Sequence, residues 1–289
     1  MILGDNREAV IDNITRAAAE GNFHAKVEIG DPVLTKDEGF AIARGYLEHH
    51  NGMSYRAKSR IARGIANKAT LVLNRDTEIV GLEKARGLTG GAIITSNHFN
   101  PMDNTIIRHM TRQLGKKRLY IISQQTNFAM EGVVGFLMRY ADTIPIHDDL
   151  HYMHDDLYKI LQDLMKKKQY VLIYPEQEMW FNYRKPRPAK RGAYYYAARL
   201  NVPILSCFVE QRDELERETD SFYKVRYVLH VLDPIYPRPG LSLRENSFWL
   251  CQQDYEQKRA AYEAIYGKRL QYDFEQTDIA GWIGKEAVS

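Results

Sequence analysis

From residue 78 onward the chain alternates short apolar runs with stretches of helical periodicity, and this alternation narrows the possible folds more than any other feature. The runs are "TEIVGLE", "GAIITSN", "RLYIISQ", "DTIPIH", "YVLIYPE", "VPILSCFVE" and "YKVRYVLHVLDPIY". Helical patterns fall between them at residues 101–114, 128–140, 148–167 and 190–200. Parallel strands need long crossovers, usually helices, so the pattern predicts an α/β domain: a mainly parallel, mixed sheet flanked by helices. Ligands in such sheets gather where strands end and helices begin.

The residues before 78 read as a helical N-terminal extension. Its first helix has a possible cap at Asp5 and an apolar face through Val10, Ile14 and Ala18. The second starts at Thr35 and stops at Asn51-Gly52. The third, "SYRAKSRIARGIANKATLVLN", sets Arg56, Arg60 and Arg63 on one face and Ile61, Ile65 and Val72 on another. Such a helix either lies on anionic lipid or covers the next domain with a solvated basic face. "SLRENSFWLCQQDYEQKRAAYEAIYG" reads as a closing helix, and the last residues as polar and peripheral. The expected division is therefore 1–76, a helical extension; 77–240, the α/β domain; and 241–289, a helix and tail packed on it.

Several classes are disfavoured. No apolar run approaches the roughly 20 residues of a spanning helix, and the N-terminus has no charged region leading into a long apolar stretch. A cytoplasmic protein is expected, with a peripheral seat on the inner face of the membrane as an option. A net charge of +3 gives no reason to expect nucleic acid. Cys207 and Cys251 lie far apart, fit no metal or redox spacing, and read as buried free thiols.

"SNHFNPMD" (Ser96–Asp103) sits at a strand exit. Pro101 suits a first helical position, which makes Asn100 the cap and Asp103 an acid in the first turn, favourable to the helix dipole. That accounts for Asp103 but not for His98. On a single helix, residues five apart would lie about 140° apart. With His98 before the helix, its ring can instead fold back onto the carboxylate. One ring nitrogen then donates to Asp103 and the other is left to accept a substrate proton.

The same stretch resembles the H-x4-D motif of the glycerolipid acyltransferase superfamily. Further blocks follow in order: "VVGFLMRYADTIPI", with Gly135, Phe136 and Arg139; "VLIYPEQ", with Tyr174, Pro175 and Glu176; and "KRGAYYYAARLNVPILSC", with Gly192 and Pro203. The resemblance spans about residues 78–235. It implies transfer of a fatty acyl group from a thioester, on coenzyme A or acyl carrier protein, to a hydroxyl, with no bound cofactor and no metal. His98 would be the general base and Asp103 its orienting partner. Asn97 would brace the turn and, with Gly135, Phe136, Arg139, Glu176, Gln177 and Trp180, bind acceptor or donor. Backbone N–H groups of Asn100 to Asp103 are expected to stabilise the developing oxyanion. No G-x-S-x-G elbow is present, which favours direct attack by the acceptor.

Two departures bear on the acceptor. The third block normally continues Glu-Gly-Thr-Arg, whereas this chain has Glu176, Gln177, Glu178 and Met179. The second block normally closes with an arginine, where this chain has His147 and Asp148. The resemblance gives those arginines the acceptor phosphate, which arginine grips through paired, charge-assisted bonds. Their absence points to a lipid, glycolipid or metabolite hydroxyl outside lysophosphatidic acid. Gln177 and Glu178 would bind hydroxyls, and Trp180, Phe181 or Tyr183 would stack on a sugar. The alternative keeps lysophosphatidic acid, with Arg184, Lys185, Arg187, Lys190 and Arg191 as relocated phosphate ligands. A reading from another class, a metal-binding hydrolase, rests on His147, His151 and His154 at i, i+4, i+7. The basic clusters at Lys116–Arg118 and Lys166–Lys168 either complement helix ends or dock an acidic partner, and Tyr194–Tyr196 read as core.

Overall fold

The computed structural model describes residues 7–284; Asp5, the expected first cap, lies outside the described residues. Three helices precede the sheet: α1 (Arg7–Ala19), α2 (Lys36–His49) and α3 (Met53–Leu73). Thr35 caps α2 as expected, its side chain accepting from Glu38 N while Glu38 reaches back to the Thr35 N–H.

The α/β portion runs β1 (Glu78–Val80), α4 (Leu82–Arg86), β2 (Ala92–Thr95), α5 (Asn104–Gln113), β3 (Leu119–Gln124), α6 (Gly132–Tyr140) and β4 (Thr143–Ile146). It continues with α7 (Leu157–Lys166), β5 (Tyr170–Leu172), α8 (Gly192–Leu200), β6 (Ile204–Arg217), β7 (Tyr223–Ile235) and α9 (Leu243–Tyr266). The seven strands form one sheet in the order β1-β7-β6-β2-β5-β3-β4. Every pairing is parallel except β6 with β7. The mixed, mainly parallel sheet is the expected one.

β2 and β5 are adjacent, yet their crossovers diverge: β2 leads through α5 to β3, and β5 through α8 to β6. Right-handed crossovers in opposite directions put their helices on opposite faces. The core divides accordingly. Ile93 and Val171 point into one cluster with Leu161 and Ala197, while Ile94 and Leu172 point into the other with Ile106 and Met110. Divergence of this kind opens a crevice beyond the carboxyl ends of β2 and β5. On the first face α9 is fastened to β2 by a buried network. Asp254 accepts from the Thr95 hydroxyl at 2.9 Å and from Lys258 Nζ at 2.7 Å, and it also accepts from Tyr194.

A third cluster was not expected. α1, Val27, Trp180, Phe181, Tyr183, Phe222 and Ile279 share a separate core. Both ends of the described chain thus pack behind the segment that follows β5. The tail is not wholly peripheral, since Ile279 and Ala280 are fully buried.

α3 also differs from expectation. It packs through its small and polar side, Ser59, Ala62 and Thr70, and Arg63 makes a bidentate pair with Asp142 at 2.6 and 2.8 Å. Ile61, Ile65 and Val72 are therefore exposed, at 60, 42 and 70%. No helix among the described residues is long and apolar enough to cross a membrane. Cys207 is buried, Cys251 half-buried, and both are free. Tyr194 and Tyr196 are core, as expected. Lys116 lies at a helix end, donating to the Lys168 carbonyl and sitting over the Tyr170 ring.

Candidate active site

β2 delivers Ser96–Asp103 to the crevice. The described α5 begins at Asn104; Pro101–Asp103 form the turn leading into it. Asn100 serves that turn as a cap, its Oδ1 accepting from Met102 N at 2.9 Å. Asp103 is buried, and both of its oxygens are engaged. Oδ2 accepts from His98 Nδ1 at 2.8 Å and from the N–H groups of Phe99 and Asn100 at 2.9 and 3.2 Å. Oδ1 accepts from the Tyr174 hydroxyl at 2.6 Å. One carboxylate thus spans both the main chain of the turn and the ring.

The His98 side chain is 20% exposed, and Nε2 makes no hydrogen bond to any described residue. Its ring stacks on Tyr174, centroids 4.0 Å apart and planes 13° from parallel. With Nδ1 bound to a carboxylate that accepts only, the ring's tautomer follows: the proton is on Nδ1 and the lone pair on Nε2. Burial, and the Asp103 charge next to it, push the Tyr174 hydroxyl far above its ordinary range, so it stays a donor.

Tyr174 is the contact of this pair that sequence reasoning passed over, because nothing in sequence spacing predicts a tyrosine just after β5 reaching a carboxylate on the turn after β2.

Several expected substrate contacts are occupied elsewhere. Asn97 is enclosed and staples the turn to β6, giving and receiving bonds with the Val209 main chain at 3.0 and 2.8 Å. That is the bracing role and leaves it no group for a substrate. Gly135 permits a close approach: a Cβ there would lie 1.7 Å from the Met130 carbonyl oxygen. Arg139 donates to the Phe128 and Met130 carbonyls at 2.9 and 3.0 Å, so it shapes that same turn. Phe136 is half-buried against Tyr140.

Glu176 is buried and paired with Arg187, 3.0 Å apart, and its Oε1 accepts from Arg187 N at 3.0 Å. Its Oε2 faces the His98 N–H at 3.3 Å. Its oxygens are therefore engaged with Arg187 and the turn at His98. Trp180 is fully buried, donating through its indole to the Ala25 carbonyl and through its main chain to the His98 carbonyl. A ring enclosed on all sides cannot stack on a sugar, and Phe181 and Tyr183 are buried with it. Gln177 alone of this group is exposed, in left-handed backbone at φ 68°. The corresponding family residue is glycine, to which that conformation is open without strain.

The oxyanion donors expected from Asn100 to Asp103 are also spent. The N–H groups of Asn100, Met102 and Asp103 all bond within the turn, and Pro101 has none.

The three histidines do not converge. His147 is buried beneath Phe40 before the helix begins, its Nδ1 accepting from Asp149 N. His151 is exposed beside Asp155, and His154 turns to Tyr195. A π-helical turn at Tyr152–Asp156 also alters the helical phase. Among the described residues no group of three His, Cys, Asp or Glu is arranged to hold a metal.

The relocated phosphate ligands fare no better. Arg184 pairs with Asp213, Lys185 with Asp278 at 2.6 Å, and Arg187 with Glu176. Lys190 and Arg191 are exposed, and Arg191 lies over the Phe248 ring.

Residues 76–210 match the Acyltransferase family model, a span that holds the His98–Asp103 pair, Tyr174 and Glu176. That matched segment belongs to the acyltransferase family. The crystal structure of the 1-acyl-sn-glycerophosphate (LPA) acyltransferase PlsC from Thermotoga maritima is similar to this chain, with a TM-score of 0.53 at 16% identity. The match covers 92% of this chain and 100% of that one. At that identity the likeness speaks for the fold alone. No curated protein matches. Acyltransferases of this family use acyl thioester donors, and the His98 side chain is partly exposed at the strand exit.

Proposed function

We propose that the protein transfers a fatty acyl group from an acyl thioester, on coenzyme A or acyl carrier protein, to a hydroxyl of a lipid, glycolipid or metabolite other than lysophosphatidic acid. The observation that carries this reading is the His98–Asp103 pair at 2.8 Å with Nε2 unpartnered. The acceptor O–H gives its proton to Nε2 as its oxygen bonds to the thioester carbonyl carbon. Asp103 offsets the imidazolium charge and Tyr174 holds Asp103. As the tetrahedral intermediate collapses the C–S bond breaks, and the departing thiolate takes the proton back from the imidazolium.

The acceptor class is supported by charge. Met179 and Asp148 stand where the family has arginines, and three of the five nearby cations are committed to Asp213, Asp278 and Glu176. Purified protein given palmitoyl-CoA or palmitoyl-acyl carrier protein is expected to acylate neutral or zwitterionic hydroxyl lipids faster than lysophosphatidic acid. Robust turnover of lysophosphatidic acid alone would overturn the acceptor assignment.

The exposed Ile61, Ile65 and Val72 of α3, with Arg56, Arg60 and Lys68 solvent-facing on the same helix, support a peripheral seat on anionic lipid. Flotation with phosphatidylglycerol vesicles should recover the protein, and Ile61→Asp with Ile65→Asp should abolish recovery. Unchanged recovery by the double variant would remove α3 from the interface.

A further inference from the structure

The segment between α1 and α2 packs against the residues that follow β5 and is tied down at three points. Arg187 Nη1 donates to the Phe23 carbonyl at 3.0 Å, Trp180 to the Ala25 carbonyl at 3.0 Å, and Asn13 to the Val27 carbonyl at 3.1 Å. Phe23 packs against Trp180 and Tyr272, and Val27 is buried. Two of the residues that fix this strap, Trp180 and Arg187, also hold the His98 carbonyl and Glu176. The strap is therefore registered to the site, and it carries Glu28 there.

Glu28 is unlike the other carboxylates near it. Glu176 is paired with Arg187, Asp31 with Lys26 at 3.0 Å, and Glu178 accepts from Gln124 at 2.8 Å. Glu28 has a buried oxygen, Oε1, with no hydrogen-bond partner among the described residues. The charges that act on it are the Asp31 carboxylate and the His98 ring, with no lysine or arginine among them. Burial and Asp31 push its carboxyl up to about 7, and His98 acts in the opposite direction. A carboxyl held beside a like charge, with one oxygen shut off from water and unbonded, is costly unless something supplies a donor. A cationic donor would answer both deficits.

We propose that Glu28 is an acceptor-binding residue, and that its carboxylate receives an ammonium group on the acceptor whose hydroxyl faces His98. This rests on the acyl-transfer reading above and narrows its acceptor to the amine-bearing class. It also gives a reason for the missing arginines, because a site built for an ammonium gains nothing from cations at the same place. The strap precedes the residues matched by the family model, so head-group selection is supplied by the extension and chemistry by the domain.

The test uses the full chain, palmitoyl-CoA, and three acceptors with one alkyl chain and a free secondary hydroxyl. These are a 1-alkylglycerol bearing an aminoethyl ether at the third carbon, its N-acetyl derivative, and the corresponding 3-phosphate. Hydrogen bonds to charged groups are worth about 1.5–3 kcal/mol, or roughly 10- to 150-fold. The wild-type protein should prefer the amine over its N-acetyl form by that factor in kcat/KM. Glu28→Gln should raise KM for the amine by a similar factor, leave kcat within about threefold, and leave the N-acetyl acceptor unchanged.

Equal KM values for amine and N-acetyl acceptors in the wild type would overturn the proposal without any variant, as would preference for the phosphate. A fall in kcat on all acceptors in Glu28→Gln would overturn it too, by moving Glu28 into proton transfer. If no acceptor is acylated from palmitoyl-CoA or palmitoyl-acyl carrier protein, the acyl-transfer reading fails and this inference falls with it. If acylation proceeds and only the Glu28 dependence is missing, the inference alone fails.

Discussion

His98→Ala should lower acyl transfer by about 10² to 10⁴, the usual worth of a positioned general base, while the protein remains folded. The side chain is partly exposed and its loss removes a ring stack and one hydrogen bond, so only a small fall in melting temperature is expected. Asp103→Asn should cost activity on a similar scale for a different reason. All four groups facing this carboxylate donate: the His98 ring, two main-chain N–H groups and the Tyr174 hydroxyl. An amide turns one acceptor oxygen into a donor and no longer offsets the imidazolium. Single-turnover rates with palmitoyl-CoA, beside circular dichroism and melting curves for each variant, make the comparison. Full activity in His98→Ala would remove the imidazole from the reaction.

The second large effect lies under the site. Arg187 and Glu176 are both buried, and Arg187 also bonds the carbonyls of Phe23 and Glu178 while its guanidinium lies over the Trp180 ring. Removing one member of a buried pair leaves an uncompensated charge and costs about 3–5 kcal/mol. Arg187→Met should therefore destabilise by that amount in urea unfolding and release the strap. The double variant Arg187→Met, Glu176→Gln should recover part of it, because neither charge is then stranded. A double variant no more stable than Arg187→Met would show that the strap contacts, and not the charge, carry the effect.

Much of the site was readable from residue order. Proline at 101 fixed the start of the turn, and a histidine before it with an acid after it needed only that turn to meet. Both partners lie within five residues, so local geometry alone sufficed. Where expectation failed, the deciding contact was distant in sequence. Trp180 suggested a stacking platform, yet it is buried by α1 and the strap from more than 150 positions away. Arg184 and Lys185 suggested a phosphate grip, yet they are claimed by Asp213 and Asp278, 29 and 93 positions away. Composition and periodicity register that a residue is apolar or charged, but not which other residue has already claimed it.

What the sequence determined was the order of strands and helices, the turn at Ser96–Asp103 and the meeting of a histidine ring with a carboxylate there, because each follows from spacings of a few residues. The tertiary structure alone decided which polar groups near that ring are still free. It paired Asp103 with Tyr174, closed the aromatic residues after Glu176 into a third core, and left Glu28 Oε1 buried with no hydrogen-bond partner among the described residues. Those outcomes depend on crossovers that diverge between β2 and β5 and on chain ends that fold back behind them, and no local pattern encodes which distant groups will then lie side by side.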